Sequence, residues 1–546
     1  MRKFLLLMLT IVSITSSYSQ YKIEGVNIAY GDEIVDEKAK IVKIIGEANN
    51  KVYALGTKGK DYYLKIFTSK EMKLISNKPI VFPEVKDKDL DFEEIIMLNS
   101  KLYVIGSVYQ SKEKIFKLVG IEISEEGVLS SKMLPMFEAE VAKKSARGDF
   151  YFEKSADEKQ LLAMHASLFN KEDAMKYDLK LFDGNLNTLF VNSEKVSFDD
   201  SKKDFEFTIA DFDVNYRGDA FLVVNESYRD NKKKEQIEKF QVHAFKKSSG
   251  YKKEVIDINI TGKEIINCSL LSTSNDKVQL VGFYSSVRDN GKANKELKGI
   301  YNATININTN VNDNLKFNEF DYETKVKLLG ERKAKKGKDL KPYYKIHTII
   351  EKNDGGLIVL SEERYKYVGK TQGIGPLGMT PVTFYTNEII VTSLRPDGSA
   401  EWSNVVAKDQ NATTTVMSLN MFAAVGGSFN VAVGVSFDLA VLGKGPEYLS
   451  AIPIYKDGQL NILFNDNKKN MGITNMDDIK SLGNYNNAVP TLFVFNDKGE
   501  ITRKDPKDVI ENELVVRPGV FYRKNPKEYI IYASRKSQDR LGRMTL

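Results

Sequence analysis

Three histidines, one cysteine and a scatter of carboxylates are what this chain offers for chemistry. His165, His243 and His347 stand far apart, each inside a strand-like run, with no companion at ligand spacing. That pattern suits packed or surface imidazoles, because a metal centre needs three or four ligands converging on one point. Cys268, in IINCSLLS, has no partner for an internal disulfide and reads as a buried, inert thiol. Carboxylate groups such as Asp91/Glu93/Glu94 and Asp199/Asp200 are of the type that glycosidases use as an acid pair. Their surroundings, rich in Lys and Asp, point instead to solvated connections. No G-x-S-x-G elbow and no phosphate loop of the form G-x-x-x-x-G-K-S/T occurs. A Ser–His–Asp set drawn from distant segments is an arrangement that only the fold can test. The residues therefore predict no catalytic group, no metal site and no bound cofactor.

A different signal lies in KTQGIGPLGMTP, Lys370 to Pro381, whose only charge is the lysine that opens it. A second tract, Gln410 to Ser450, carries no charged side chain between Asp409 and Asp438. Exposed apolar surface of this size marks interaction sites, and Gly- and Met-rich loops adapt to a partner. The candidate partner-binding residues are Gly373, Ile374, Pro376, Leu377 and Met379 in the first tract. In the second they are Met421, Phe422, Val425, Phe429 and Val433. The competing reading is a hairpin packed on its own scaffold. The tract's many small residues speak against stable membrane insertion.

The elements that must position these tracts are strands. A polar turn followed by a β-branched and aromatic run recurs at Asn49 (NNKVYALG), Asn99 (NSKLYVIG), Asp157 (DEKQLLAMH) and Tyr216 (YRGDAFLVV). It returns at Asn275 (NDKVQLVG), Asn353 (NDGGLIVL), Lys456 (KDGQLNILF) and Lys524 (KNPKEYIIY). A second turn class, SEEGVL at Ser124, FDGNLN at Phe182, RPDGSAEW at Arg395 and NDKGEI at Asn496, closes most units. Asp-Gly and Asn-Asp pairs suit tight turns. A period of roughly 40–60 residues with several strands per unit points to propeller blades. The expected fold is an all-β propeller of 7–8 blades, rather than two sandwiches or a solenoid. The final unit supplies about three strands, and YKIEGVNIAY near the start supplies the fourth, closing the ring. The two apolar tracts then fall in insertions at about 366–387 and 410–450. One joins a second strand to a third and the other joins two blades, so both emerge on one face. Helical periodicity is confined to Met476–Ser481, and the basic runs at Asn231 and Glu331 read as hairpin tips.

Composition sets the remaining bounds. Residues 1–19 form a secretory signal peptide, with a basic start at Arg2-Lys3, an apolar core from Phe4 to Ile14, and small residues before Gln20. A single propeller domain over 20–546 follows. Losing Arg2 and Lys3 takes the formal charge from +6 to +4, too little for a nucleic-acid partner. With one Cys, the fold must rest on burial, for which 42% hydrophobic residues suffice.

The segments EIIVTSLRPDGSAEWSNVVAK, LNILFNDNKKN, TLFVFNDKGEI and PKEYIIYASRKSQDRLGRMTL, within Glu388–Leu546, resemble an exported β-propeller family of Bacteroidota-type bacteria. The resemblance implies a propeller and supplies no catalytic residues. No YPNP-like start of a type IX sorting domain is seen, which favours the periplasm over the cell surface. The expectation is a non-enzymatic, periplasmic interaction subunit with an outer-membrane or periplasmic protein partner. In that compartment a ring with a sticky face would suit the plug of a type IX translocon. The alternative is a carbohydrate-active or glycan-binding propeller that uses its central channel.

Overall fold

Each of the eight recurring turns joins the first and second strands of one sheet, and there are eight such sheets. The computed structural model describes residues 23–35, 39–169, 174–197, 202–230, 232, 236–287, 294–368, 380–416, 423–426, 429–433, 446–509, 513–535 and 538–546. They form an all-β propeller of eight blades. Around the ring the blades begin with Lys40–Ala48, Asp91–Leu98, Asp149–Lys154 and Lys202–Val214. Two short strands, Lys263–Ile265 and Ser269–Ser272, each paired with Lys277–Ser286, open blade 5, and blades 6 to 8 begin with Tyr344–Glu351, Ala451–Lys456 and Val515–Asn525. Lys40–Ala48 touches Asp91–Leu98 and Val515–Asn525, and Lys202–Val214 touches Asp149–Lys154 and Ser269–Ser272, as inner strands around a central channel do.

The turns are tight because successive residues adopt left-handed backbone angles. Asn49 and Asn50 take φ of 50° and 60°, Asn99 and Ser100 take 49° and 63°, and Asp457 and Gly458 take 51° and 83°. Two successive left-handed residues give the hairpin turn whose twist matches that of the flanking strands. Asn and Gly tolerate that geometry best.

Eight apolar cores lie between neighbouring blades, one for each contact around the ring. Second and third strands therefore pack on both faces. Leu161–Phe169 and Ala488–Phe495 are buried at every position, with no alternation. Each fully buried Leu, Ile or Phe contributes roughly 1.5–3 kcal/mol. Outer strands such as Val311–Glu319 are largely open on one face. Cys268 sits in the core between blades 4 and 5, where burial pushes its thiol up.

The ring closes as the strand pattern requires. Asn27–Tyr30 pairs antiparallel with Gln538–Thr545, running from Asn27 opposite Thr545 to Tyr30 opposite Gly542. Two local expectations fail. Over Met476–Ser481 only a 3₁₀ turn at Met476–Asp478 forms. The basic run at Glu331 is no hairpin tip: Tyr322–Leu329 and Glu331–Lys335 are helices on the connection between blades 5 and 6. Asp321 starts the first by accepting the Thr324 amide at 2.7 Å, and Gly330, at φ +80°, separates the two. Among the described residues no helix is long and apolar enough to cross a membrane.

Candidate functional site

The two insertions share one root. Thr380–Thr386, the leading half of the third strand of blade 6, pairs with Gln410–Val416, so the tracts leave the ring edge to edge on one face. A small core of Val382, Phe384, Ala412, Tyr448, Leu449 and Leu482 lies beneath them.

A buried charge cluster clamps both ends of the second insertion. Glu362, on the second strand of blade 6, is fully buried, as is Lys408, whose Nζ lies 2.9 Å from Glu362 Oε1. Arg364 donates to Glu362 Oε2 through Nε and to Ser450 Oγ, at 2.7 Å, through Nη2. The Ser450 hydroxyl donates to Glu362 Oε2 at 3.0 Å, and the Ser450 amide donates to Gln410 Oε1 at 2.8 Å. Lys408 and Gln410 thus enter the insertion, and Ser450 leaves it, at one carboxylate. Burial alone would raise Glu362, but Arg364 and Lys408 outweigh it and hold the carboxyl well below its usual range.

The cluster contains a serine, a histidine and a glutamate, yet its polarity is not that of a hydrolase triad. His347 Nδ1 lies 2.7 Å from Thr348 Oγ1, and Nε2 lies 3.1 Å from Ser450 Oγ. The tautomer that satisfies every partner accepts from Thr348 and donates to Ser450. A general base needs the reverse, with an acid orienting the imidazole. Here the acid bonds the serine itself, and Ser450 is buried. Burial and the Arg364 charge lower His347 to about 4.

Of the predicted contact residues, Gly373, Ile374, Pro376, Leu377, Met379, Met421 and Phe422 lie outside the described residues. Val425 belongs to the strand Ala423–Gly426, and Phe429 and Val433 bound the strand Phe429–Val433. These two strands pair as a hairpin, and the second runs parallel to Phe205–Ile209 on the inner strand of blade 4. That inner strand's other edge is taken by Ala220–Asp230, so the hairpin sits at its channel edge, toward the insertion face. The described part of the second tract is therefore a hairpin paired with its own scaffold, as the competing reading has it, with a partner strand in blade 4 that the sequence did not indicate.

The opposite end of the channel holds a cavity of about 280 Å³ lined by Lys43, Glu94, Phe152, Glu153, Lys154 and Glu158. The Asp91/Glu93/Glu94 group thus lies on an inner strand rather than in a solvated connection, while Asp199/Asp200 lie outside the described residues. Most of these charges are engaged: Lys43 meets Glu94 at 2.9 Å, and Lys154 meets Glu158 at 2.6 Å. Asp211 and Asp213 on blade 4 accept the Leu270 and Ser272 amides of blade 5 at 2.8 and 3.0 Å. Water reaches Glu153 in the channel, yet desolvation and the Asp213 and Asp211 charges push it up to about 8. Glu93, less exposed and bonded by the Ser107 hydroxyl, is raised to about 7 by burial and by Asp149 and Asp91.

A raised carboxyl keeps its proton in the fold after the unfolded chain has lost it. Stability therefore falls as pH climbs from about 4.5 to about 7 through Glu93, and levels off above. Glu93→Gln is expected to remove that part of the slope and to raise the urea midpoint at pH 8 while leaving it unchanged at pH 4. An unaltered pH profile would count against the assignment.

The histidines are separate. His165 contacts the Arg147 carbonyl at 2.7 Å and packs among aromatic rings, and burial lowers His243 to about 4. Among the described residues no three His, Cys, Asp or Glu side chains converge as metal ligands.

No protein-family model matches the chain, and no curated protein matches it. Among solved structures it is similar to the Dos1 propeller, at 8% identity over 94% of each chain with a TM-score of 0.39. It is similar to prolyl oligopeptidase B from Galerina marginata, at 7% identity and a TM-score of 0.35, over 93% of this chain and 55% of that one. The chain thus spans about half the length of that oligopeptidase. An ulvan lyase of polysaccharide lyase family PL25 matches at 10% identity, over 94% of this chain and 95% of that one, with a TM-score of 0.34. At these values none of the three bears on activity, and the propeller assignment rests on the strand pairing.

Proposed function

We propose that this propeller is a non-enzymatic interaction subunit that docks through its insertion face onto an outer-membrane or periplasmic protein. Within that reading, a periplasmic cap or plug of a type IX translocon is the partner arrangement to test first. The observation that carries the reading is the ladder between Thr380–Thr386 and Gln410–Val416, which ties two apolar excursions to one rigid base. A buried ionic clamp under the second excursion fixes that base further. A docking protein needs shape and a fixed apolar surface more than reactive groups. The strand Ala423–Gly426 ends its sheet among the described residues, and so offers an edge to which a partner strand can add.

The test removes Thr371–Met379, leaving the ladder from Thr380 intact. The expected result is an unchanged thermal midpoint and at least a tenfold loss of co-purification with an outer-membrane partner in gentle detergent. Undiminished co-purification overturns the proposal.

A further inference from the structure

The chain's only tryptophan is half-buried and packs against the core between blades 6 and 7. Trp402 lies on Ala400–Val406, the outer strand of blade 6, and faces the hairpin of blade 7. Its indole N–H donates to the Asp497 carbonyl at 3.0 Å. Its ring stacks on Phe495 with centroids 5.9 Å apart and planes 11° apart. Gly499 makes the approach possible, because a Cβ there would stand 2.4 Å from the indole. The ring is thus locked in one orientation before any ligand arrives.

Trp402, Phe495 and Tyr455 line a cavity of about 250 Å³ between blades 6 and 7, on the turn face opposite the insertions. Its polar wall is Lys352, Asp354 and Glu401. Lys352 Nζ stands 3.0 Å from Glu401 Oε2 and 3.4 Å from Asp354 Oδ2, and the Ser393 hydroxyl donates to Glu401 at 2.9 Å. Lys352 and Ser393 hold Glu401 below the usual carboxylate range, so it is an acceptor.

We propose that this groove binds one pyranose ring of a neutral saccharide. The aromatic wall suits the C–H face of a sugar, and the carboxylates suit its hydroxyls. An anion would meet Asp354 and Glu401, and a cation would have to compete with Lys352 already seated between them. A purely apolar ligand would strip water from Asp354, Glu401 and Lys352 and return no hydrogen bond of its own. The cavity falls below the roughly 300–1,000 Å³ of sites for larger ligands, which fits a single ring. Nothing in the proposal depends on the insertion face or on the channel.

Because Trp402 is the sole indole, emission reports on this groove alone. The protein is titrated with methyl β-glucoside, methyl β-galactoside and N-acetylglucosamine into the millimolar range, and with arginine as the cationic control. A saturable change with at least one sugar is expected, weakened about tenfold in Tyr455→Ala and in Asp354→Asn. Asp354 is exposed, whereas Tyr455 packs against the core between blades 6 and 7, so matching circular dichroism and thermal midpoints check that both variants fold. Three results overturn the proposal: no saturable change with any sugar, a response to arginine alone, or a sugar response that both variants leave intact.

Discussion

Replacing Glu362 with glutamine is expected to destabilise the protein by about 3–5 kcal/mol, because it leaves two buried cations without their counter-ion. Lys408 is wholly buried, and the Arg364 side chain is only 17% exposed. Lys408 cannot reach water without opening the root of the insertion, and Arg364 has only a small part of its side chain in it. The carboxyl's lowered pKa sets the pH window. Its stabilisation is present above the ordinary glutamate value and is lost only as pH falls well below it. The loss on mutation should therefore be equal at pH 6 and pH 8. Equilibrium unfolding in urea measures it, and Lys408→Met added to Glu362→Gln should recover part of the loss. A change below about 1 kcal/mol would mean that water already screens the cluster.

Starting the chain at Gly31, without Asn27–Tyr30, is expected to be nearly as costly. It removes the four residue pairs that join the first described strand to the last. At about 1 kcal/mol per ladder hydrogen bond, several kcal/mol go with them. It also bares the edge of Gln538–Thr545, and an unpaired edge recruits other chains. Size-exclusion chromatography should show dimers or larger species, together with a lower thermal midpoint. A monomer of unchanged midpoint would mean that the inter-blade cores hold the ring without its clasp.

Much of this architecture was legible because hairpin turns place strict demands on few residues. Asn49-Asn50, Asn99-Ser100 and Asp457-Gly458 announce left-handed pairs, and each falls between the first and second strand of a blade. The closing strand was legible because the last unit was one strand short. The helices at Tyr322–Leu329 and Glu331–Lys335 were missed, since a lysine-rich run resembles a solvated tip. Their signal was Asp321 three residues before Thr324, with Gly330 beyond. The clamp around Glu362 has no local pattern: its members stand on separate strands and meet only in the folded ring. The parallel pairing of Phe429–Val433 with Phe205–Ile209 links segments of different blades, and nothing in either segment encodes the other. The groove at Trp402 has no signature in the sequence, because its walls come from two blades that meet only in the ring.

The pairing of Asn27 with Thr545 also orders events in time. A ribosome delivers the first of these residues early and the second almost at the end, so the eighth blade waits for nearly the whole polypeptide. Seven units can assemble from contiguous stretches while the amino-terminal segment stays unmatched. The thermodynamic penalty for joining such distant segments grows only logarithmically with separation, whereas the rate suffers from their remoteness. A chain that stops short of Gln538–Thr545 never acquires this clasp, and Asn27–Tyr30 keeps an unpaired edge.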